Sequence, residues 1–400
     1  GQVTEDPSLG RSPGFQAASG TPLADFLLGY PQRSSVAAAL AFGQFRSTVQ
    51  NYYIDDTWRI HPKVTINFGL RYENTAPYKD KSQRFSNMYV PFISPNGSVV
   101  NPARSLHPTM VRIGSGDFNE GTPVRFNSDI NTARDGRLGD RGVYSDNNDF
   151  APRIGLAWSP TDKMTIRAGF GAFFVQEIAA IYFDVSRNLG GPREATTDNN
   201  FPGLTLRTPF LDAAGVVTVS NASLLGIETR RRTPYTFQYL LNVQRQITKD
   251  TVVEVGYLGS QAHKLQSWFP YNEPAVGPLS STPRSRFPFP ELDPSWIMSG
   301  TGNSNYHSLA FKLERRLSQG LTSMVSYTWS KSIDLSSGAR AHFGEQQFPQ
   351  TGYCLQCERG LSIFNVAHRF VTSNLYELPF GRSEEHTSEL QSLAYLVCRL

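Results

Sequence analysis

The chain has 400 residues, of which 39% are hydrophobic, 12% aromatic and 18% charged, with a formal net charge of +4. A mean hydropathy of −0.35, with no apolar run longer than 36–42, excludes a bundle of membrane helices, each of which needs roughly 18 apolar residues. The charge is too small for a nucleic-acid binder and too sparse for a disordered, electrostatically driven one, and three cysteines build no disulfide framework.

The sequence opens at Gly1 without a charged and apolar leader, so the signal peptide of an exported protein is expected upstream. The first clear element is a hairpin. Tyr52, Ile54, Trp58 and Ile60 share one face, and Tyr53, Asp55, Thr57 and Arg59 share the other, with Asp56 a polar exception on the apolar side. After the turn His61-Pro62-Lys63, the return strand sets Val64, Ile66, Phe68, Leu70 and Tyr72 against Thr65, Asn67, Gly69, Arg71 and Glu73. A sustained period of two is a strand signal. The second hairpin carries Ile154, Leu156 and Trp158, a turn over 159–163, then Met164, Ile166, Ala168, Phe170, Ala172 and Phe174. The third alternates Phe237, Tyr239, Leu241, Val243 and Ile247 with Gln238, Asn242, Gln244 and Gln246, turns at 248–250, and returns through Val253, Val255 and Tyr257. The fourth sets Leu309, Phe311, Leu313 and Leu317 against Ser308, Lys312, Glu314 and Arg316, turns at 318–320, and returns through Leu321, Val325, Tyr327 and Trp329. A ninth strand is predicted over 368–378.

Within hairpins the turns are short, whereas the linkers 74–150, 175–233, 261–305 and 331–367 are long. Structureless loops beyond about 12–15 residues are uncommon in compact domains, but short turns at one end and long loops at the other are the plan of outer-membrane barrels. Ten residues at about 3.3 Å each, tilted near 45°, span about 23 Å, close to the roughly 25 Å apolar band. The predicted fold class is therefore an all-β, antiparallel transmembrane outer-membrane β-barrel. A soluble β-sandwich would share the alternation but not the rhythm of connections. Trp58, Tyr72, Trp158, Tyr257, Tyr327 and Trp329 fall near strand ends, where an interfacial aromatic girdle would sit.

Several of these segments carry a family resemblance. Residues 24–29 (ADFLLG), 55–58 (DDTW), 67–73 (NFGLRYE), 150–155 (FAPRIG), 242–245 (NVQR), 255–260 (VGYLGS), 302–306 (GNSNY), 326–332 (SYTWSKS) and 368–370 (HRF) occur in an order that resembles the TonB-dependent receptors, specifically the Oar-like group with a carboxypeptidase-regulatory-like N-terminal domain. The resemblance covers most of 20–381. It implies a 22-stranded barrel, of which about nine strands are present, with a plug and TonB box upstream and energy from the TonB–ExbB–ExbD complex. On that reading 1–43 is an extracellular loop segment leading into the barrel and 44–381 is a partial barrel. Residues 382–400 include the run RSEEHTSELQS, which reads as the conceptual translation of a sequencing-adapter oligonucleotide, so this segment, Cys398 included, is expected to lie outside the fold.

The inward charges Arg71, Glu73, Arg167, Lys312, Glu314 and Arg316 are candidates to line the lumen, either as a hydrated wall or in contact with a plug. Cys354 and Cys357 form a C-x-x-C with neither a βαβ context nor a second ligand pair, so a local disulfide is expected in preference to redox or zinc chemistry. Asp129, Asn131, Asp135, Asp140, Asp146 and Asp149 supply oxygen ligands without the order of a calcium loop, and read first as a solvated loop. Arg230, Arg231 and Arg232 are either a patch for anionic lipopolysaccharide or a solvated loop end. No hydrolase, metalloprotease, P-loop or dinucleotide motif occurs, so neither an enzyme nor a cofactor is expected. The expected function is ligand binding and energised uptake across the outer membrane, with outer-membrane lipid, lipopolysaccharide and an unknown substrate as partners. The alternative is an adhesion or structural barrel without coupled transport; a secreted β-sandwich hydrolase would need an acid–base pair that the sequence does not offer.

Overall fold

The structure, a computed structural model, describes residues 27–29, 33–37, 43–90, 107–122, 124–126, 129–175, 180–190, 192–196, 205–207, 217–219, 224–277, 283–318, 320–338, 349–377 and 396–399. Nine long strands form one antiparallel sheet in chain order: β1 Val49–His61, β2 Val64–Thr75, β3 Asp149–Thr161, β4 Met164–Phe174, β5 Tyr235–Gln246, β6 Thr251–Asn272, β7 Ser295–Ser318, β8 Leu321–Asp334 and β9 His368–Tyr376. Leu225–Ile227 adds in parallel to β7, Gly360–Leu361 pairs with β8, and Leu396–Arg399 pairs with β9. Among the described residues the sheet stays open, with β1 and Leu396–Arg399 at its edges.

Register explains why alternate residues share a face. One row of paired residues runs Trp58, Ile66, Leu156, Ala168, Leu241, Tyr257, Leu309, Trp329 and His368 across all nine strands. The next row, from Val64 through Trp158, Ile166, Val243, Val255, Phe311 and Tyr327 to Phe370, is likewise apolar. On the opposite face the row Thr57, Asn67, Gly155, Gly169, Leu240, Leu258, Ser308 and Ser330 is small or polar apart from its two leucines. Large apolar side chains of the first face remain exposed, among them Ile54, Phe68, Ile154, Leu241 and Trp329. An apolar sheet face left uncovered by protein is the outside of a membrane barrel, whose backbone groups pair only within the sheet.

The turns are tight. Pro62-Lys63 joins β1 to β2, and a two-residue turn replaces the five-residue one predicted at 159–163, because Thr161 still pairs with Met164 beyond a bulge. β5 ends at Gln246, so Ile247 belongs to the turn, where its N–H donates to Thr251 O at 2.9 Å. The β7–β8 turn uses Gly320 at φ +79°, a conformation that costs an L residue steric strain. Successive hairpins are offset: Val64, first in β2, pairs with Trp158, three residues before the end of β3, and Thr251, first in β6, pairs with Arg315, three before the end of β7. Such a stagger accompanies tilted strands in a closing sheet.

The greatest departure from expectation is above the strands. About half of the linker predicted at 261–305 is strand, because β6 and β7 continue pairing through Leu265–Gly302, Trp268–Met298 and Pro270–Trp296. Bulges interrupt the ladder near Lys264, which adopts a left-handed φ of 56°. The 22 residues of β6 extend about 70 Å along the strand, far beyond a roughly 25 Å band. The described parts of 74–150 and 175–233 are also folded, with short strands Ser86–Tyr89, Thr109–Arg112 and Asn131–Ala133 in one small sheet, and a helix α1, Ala180–Ser186. Together these segments bury the main core of the molecule. One cluster joins Met88, Met110, Phe118, Leu224, Tyr271 and Phe289, and a second joins Phe85, Ile113, Tyr182, Ile227, Trp268 and Met298.

Candidate functional site

Two surfaces can act on a solute: the inward face of the sheet and the cap of packed loops at its open end. On the inward face, alternation aims charged side chains away from lipid and sets partners together, two residues apart on one strand or across neighbouring strands. Arg71 Nε lies 2.9 Å from Glu73 Oε1, and Arg167 Nη1 donates to Gln244 Oε1 at 3.1 Å. Lys312 Nζ lies 3.1 Å from Glu314 Oε2 and stands opposite Glu254, which accepts from Asn242 Nδ2 at 2.8 Å. Arg316 is separated from this set. It follows the last regular pair, Arg315–Ser323, where the ladder shifts register before the turn, and its N–H donates to Asp250 O at 2.8 Å. Sequence reasoning passed over Glu254, on the polar parity of β6, and Arg153, whose guanidinium lies 4.8 Å from the Phe173 ring centroid.

The six aromatic candidates all project from the apolar face but at different levels. Trp58 and Trp158 lie four residues from their turns, Tyr257 and Tyr327 seven, and Tyr72 and Trp329 nine. Tyr72 packs at a tilt against Phe150, with centroids 4.9 Å apart, and its hydroxyl donates to Asn147 O at 3.0 Å.

The cap is fastened by buried polar side chains that satisfy backbone groups of other segments, as burial requires. Asn87 Nδ2 donates to Gly142 O at 2.9 Å and Ile227 O at 2.8 Å, while its Oδ1 accepts from Ile227 N at 2.8 Å. Asn188 joins Leu225 in the same two-way fashion, and Asn272 Nδ2 reaches Phe289 O and Leu292 O. Asp80 accepts from the N–H groups of Gln44, Ser82, Arg84 and Phe85. Arg112 and Arg134 are buried side by side: Arg112 donates to Gln83 O, Phe118 O and Glu120 O, and Arg134 to Ile113 O and the Glu120 carboxylate. Burial, followed by the neighbouring Arg134, lowers the pKa of Arg112.

The acidic and amide residues of 129–149 are dispersed through the cap, each with its own surroundings. Asp135 pairs with Arg137, Asp140 with Lys79 and Asp146 with Arg232. The Arg137 and Lys79 hydrogen bonds hold the Asp135 and Asp140 carboxyls below the usual range. Asp149 is buried opposite Glu73, and Asn131 pairs its backbone with Thr109. Asp129 is exposed. Among the described residues no group of three or more His, Cys, Asp or Glu is placed to hold a metal ion. Arg230 lies over the Tyr144 ring at 5.6 Å, and with Asp146, Arg231 and Arg232 it lines a cleft of about 340 Å³ at the cap's base. Cys354 and Cys357 are joined in a disulfide within the 3₁₀ segment Gly352–Glu358, which Tyr353 ties to Glu273 O at 3.1 Å.

The family model for the outer membrane beta barrel domain matches residues 1–397. No curated protein matches the chain. Among solved structures it is similar to the FrpB iron transporter from Neisseria meningitidis (F5-1 variant), at 11% identity over 83% of this chain and 31% of that one, with a TM-score of 0.40. It is similar also to the outer membrane transporter YddB from Escherichia coli, at 11% identity, 83% and 40% coverage and a TM-score of 0.40. A third is the alcaligin outer membrane receptor FauA from Bordetella pertussis, at 11% identity, 84% and 35% coverage and a TM-score of 0.36. The chain spans about a third of the length of the solved structures it matches.

Proposed function

The chain belongs to the outer membrane beta barrel domain family and lies in the outer membrane of a Gram-negative-type bacterium, and from that premise we propose that it is wall and cap of a TonB-dependent receptor that binds a ligand and takes it up. The observation that carries the reading is the pairing of a charged, internally bridged inward face with a cap above it whose described segments pack around two apolar clusters. The cap offers a ligand a preorganised surface, and rigid loops lose less entropy on binding than disordered ones. Beneath it, Arg71, Glu73, Arg167, Lys312 and Glu314 line a wet path or meet a plug; of the lipid-facing aromatics, Tyr72 and Trp329, nine residues from their turns, sit nearest the level of an upper girdle. Work is supplied by TonB–ExbB–ExbD through a plug and TonB box outside these residues, so the chain carries out no covalent chemistry.

The test is genetic. A strain lacking the gene is screened against single nutrients, and a nutrient whose uptake depends on the gene is measured again without TonB. Uptake is expected to vanish in both strains; uptake that persists without TonB contradicts coupling. The packed cap also suits an adhesin, which would show surface binding with no nutrient phenotype.

A further inference from the structure

The outward face of β5–β9 has a charge pattern that transport does not explain. Within the paired register its ionisable groups, tyrosines aside, are Arg245, His263, His307, Arg315, Lys331 and His368, with no aspartate or glutamate among them. The inward face of the same strands carries both signs, including Glu254, Lys312, Glu314 and Arg369. Arg245 and Arg315 lie near the turns, and the other four lie toward the loops. Lys331 is eleven residues beyond Gly320, which places it about 26 Å above the turn for strands tilted near 45°, at the upper edge of the apolar band. Charge on a lipid-facing strand is costly at the midplane and nearly free at this level.

His307 and Lys331 are direct cross-strand partners, and His368 sits opposite Trp329 on the next row. Both rings are held in the same way. Tyr257 Oη lies 2.7 Å from His307 Nδ1 with the rings stacked at 21°, and Tyr327 Oη lies 2.8 Å from His368 Nδ1, again at 21°. With Nδ1 engaged, each imidazole presents Nε2, and among the described residues neither Nε2 nor Lys331 Nζ has a partner. We propose that His307, Lys331 and His368, oriented by Tyr257 and Tyr327, bind a phosphate of the glycolipid in the outer leaflet. Lysine serves such a group as a point charge, and imidazole N–H donors add directed hydrogen bonds. The proposal rests on the apolar face being the lipid face and holds whether or not the barrel transports.

The test titrates phosphorylated lipid A, and lipid A stripped of its phosphates, into the detergent-purified full chain, with bound lipid counted by native mass spectrometry. The triple variant His307→Gln/Lys331→Gln/His368→Gln is expected to bind phosphorylated lipid A about tenfold or more weakly, while Arg245→Gln/Arg315→Gln at the turn side stays within about twofold. Dephosphorylated lipid A should bind the wild type no better than the intact lipid binds the triple variant. Equal binding by wild type and triple variant, or equal binding of the two lipids, overturns the proposal. If the triple variant loses heat-modifiable gel migration, Lys331→Gln alone replaces it, with about fivefold weaker binding expected and wild-type affinity overturning the proposal.

Discussion

Asn87 and Ile227 are 140 residues apart in sequence, yet one amide side chain satisfies both backbone groups of Ile227 and the carbonyl of Gly142. Asn87→Ala leaves these buried groups without a partner, at about 1–3 kcal/mol each where nothing replaces it, so a loss of roughly 3 kcal/mol of cap stability is expected. The Ile227 amide should then exchange with deuterium on the order of a hundredfold faster, while the sheet keeps its heat-modifiable migration; unchanged exchange would show that the cap is held otherwise. Gly142 serves the same junction, because its φ is +74° and a Cβ there would run into the Phe85 ring. Asp140 adds a pH dependence. Its hydrogen bond to Lys79 sets the folded pKa below the ordinary 3.8, so the contribution is present at neutral pH and is lost as pH falls through the folded value. Both partners are half-exposed, so the effect is about 0.5 kcal/mol. Acid titration of cap stability should lose this increment in Lys79→Gln; an identical profile in wild type and variant would remove the pair from the account.

At the scale of elements, the two faces of one strand make opposite demands. Val325 and Ser326 are neighbours in β8, with Val325 paired to Leu313 on the apolar side and Ser326 to Lys312 on the polar side. Five residues above Gly320, Val325 lies near mid-bilayer, so Val325→Arg is expected to cost roughly 2–4 kcal/mol of folding into bilayers and Ser326→Arg close to nothing. Urea titration of vesicle-inserted protein measures both, and equal costs would contradict the face assignment. The hairpins were legible in the sequence for this reason: lipid forces an apolar residue at every second position, as in Val64, Ile66, Phe68, Leu70 and Tyr72. The same rule located the charges Arg71, Glu73, Arg167, Lys312 and Glu314, but not their bonds. Arg316 lies past the last regular pair, Arg315–Ser323, where the shifted register no longer fixes which face a residue takes. The cap was not legible. Its strands are three or four residues long, too short for periodicity to register, and its fasteners are single polar residues whose partners lie far away in sequence. Between Gly259 and Ser267 β6 is mostly small or polar on both faces, and bulges interrupt it before Trp268, so its upper half gave no strand pattern.

At the scale of the whole molecule, the chain divides its labour between a sheet that buries little within protein and a cap that buries the main apolar clusters. β6 and β7 belong to both: their ladder continues past the bulges near Lys264 into the cap, where Trp268, Tyr271 and Ile297 enter its core. The central claim is that this sheet crosses a bilayer with one face to lipid. Spin labels placed singly at 306 through 314 on β7, in vesicles, test it through collision rates with oxygen and with a water-soluble nickel complex. Oxygen accessibility should peak at 307, 309, 311 and 313, and nickel accessibility at 306, 308, 310, 312 and 314, with a strict period of two. Uniform nickel accessibility, or any period other than two, would contradict the account.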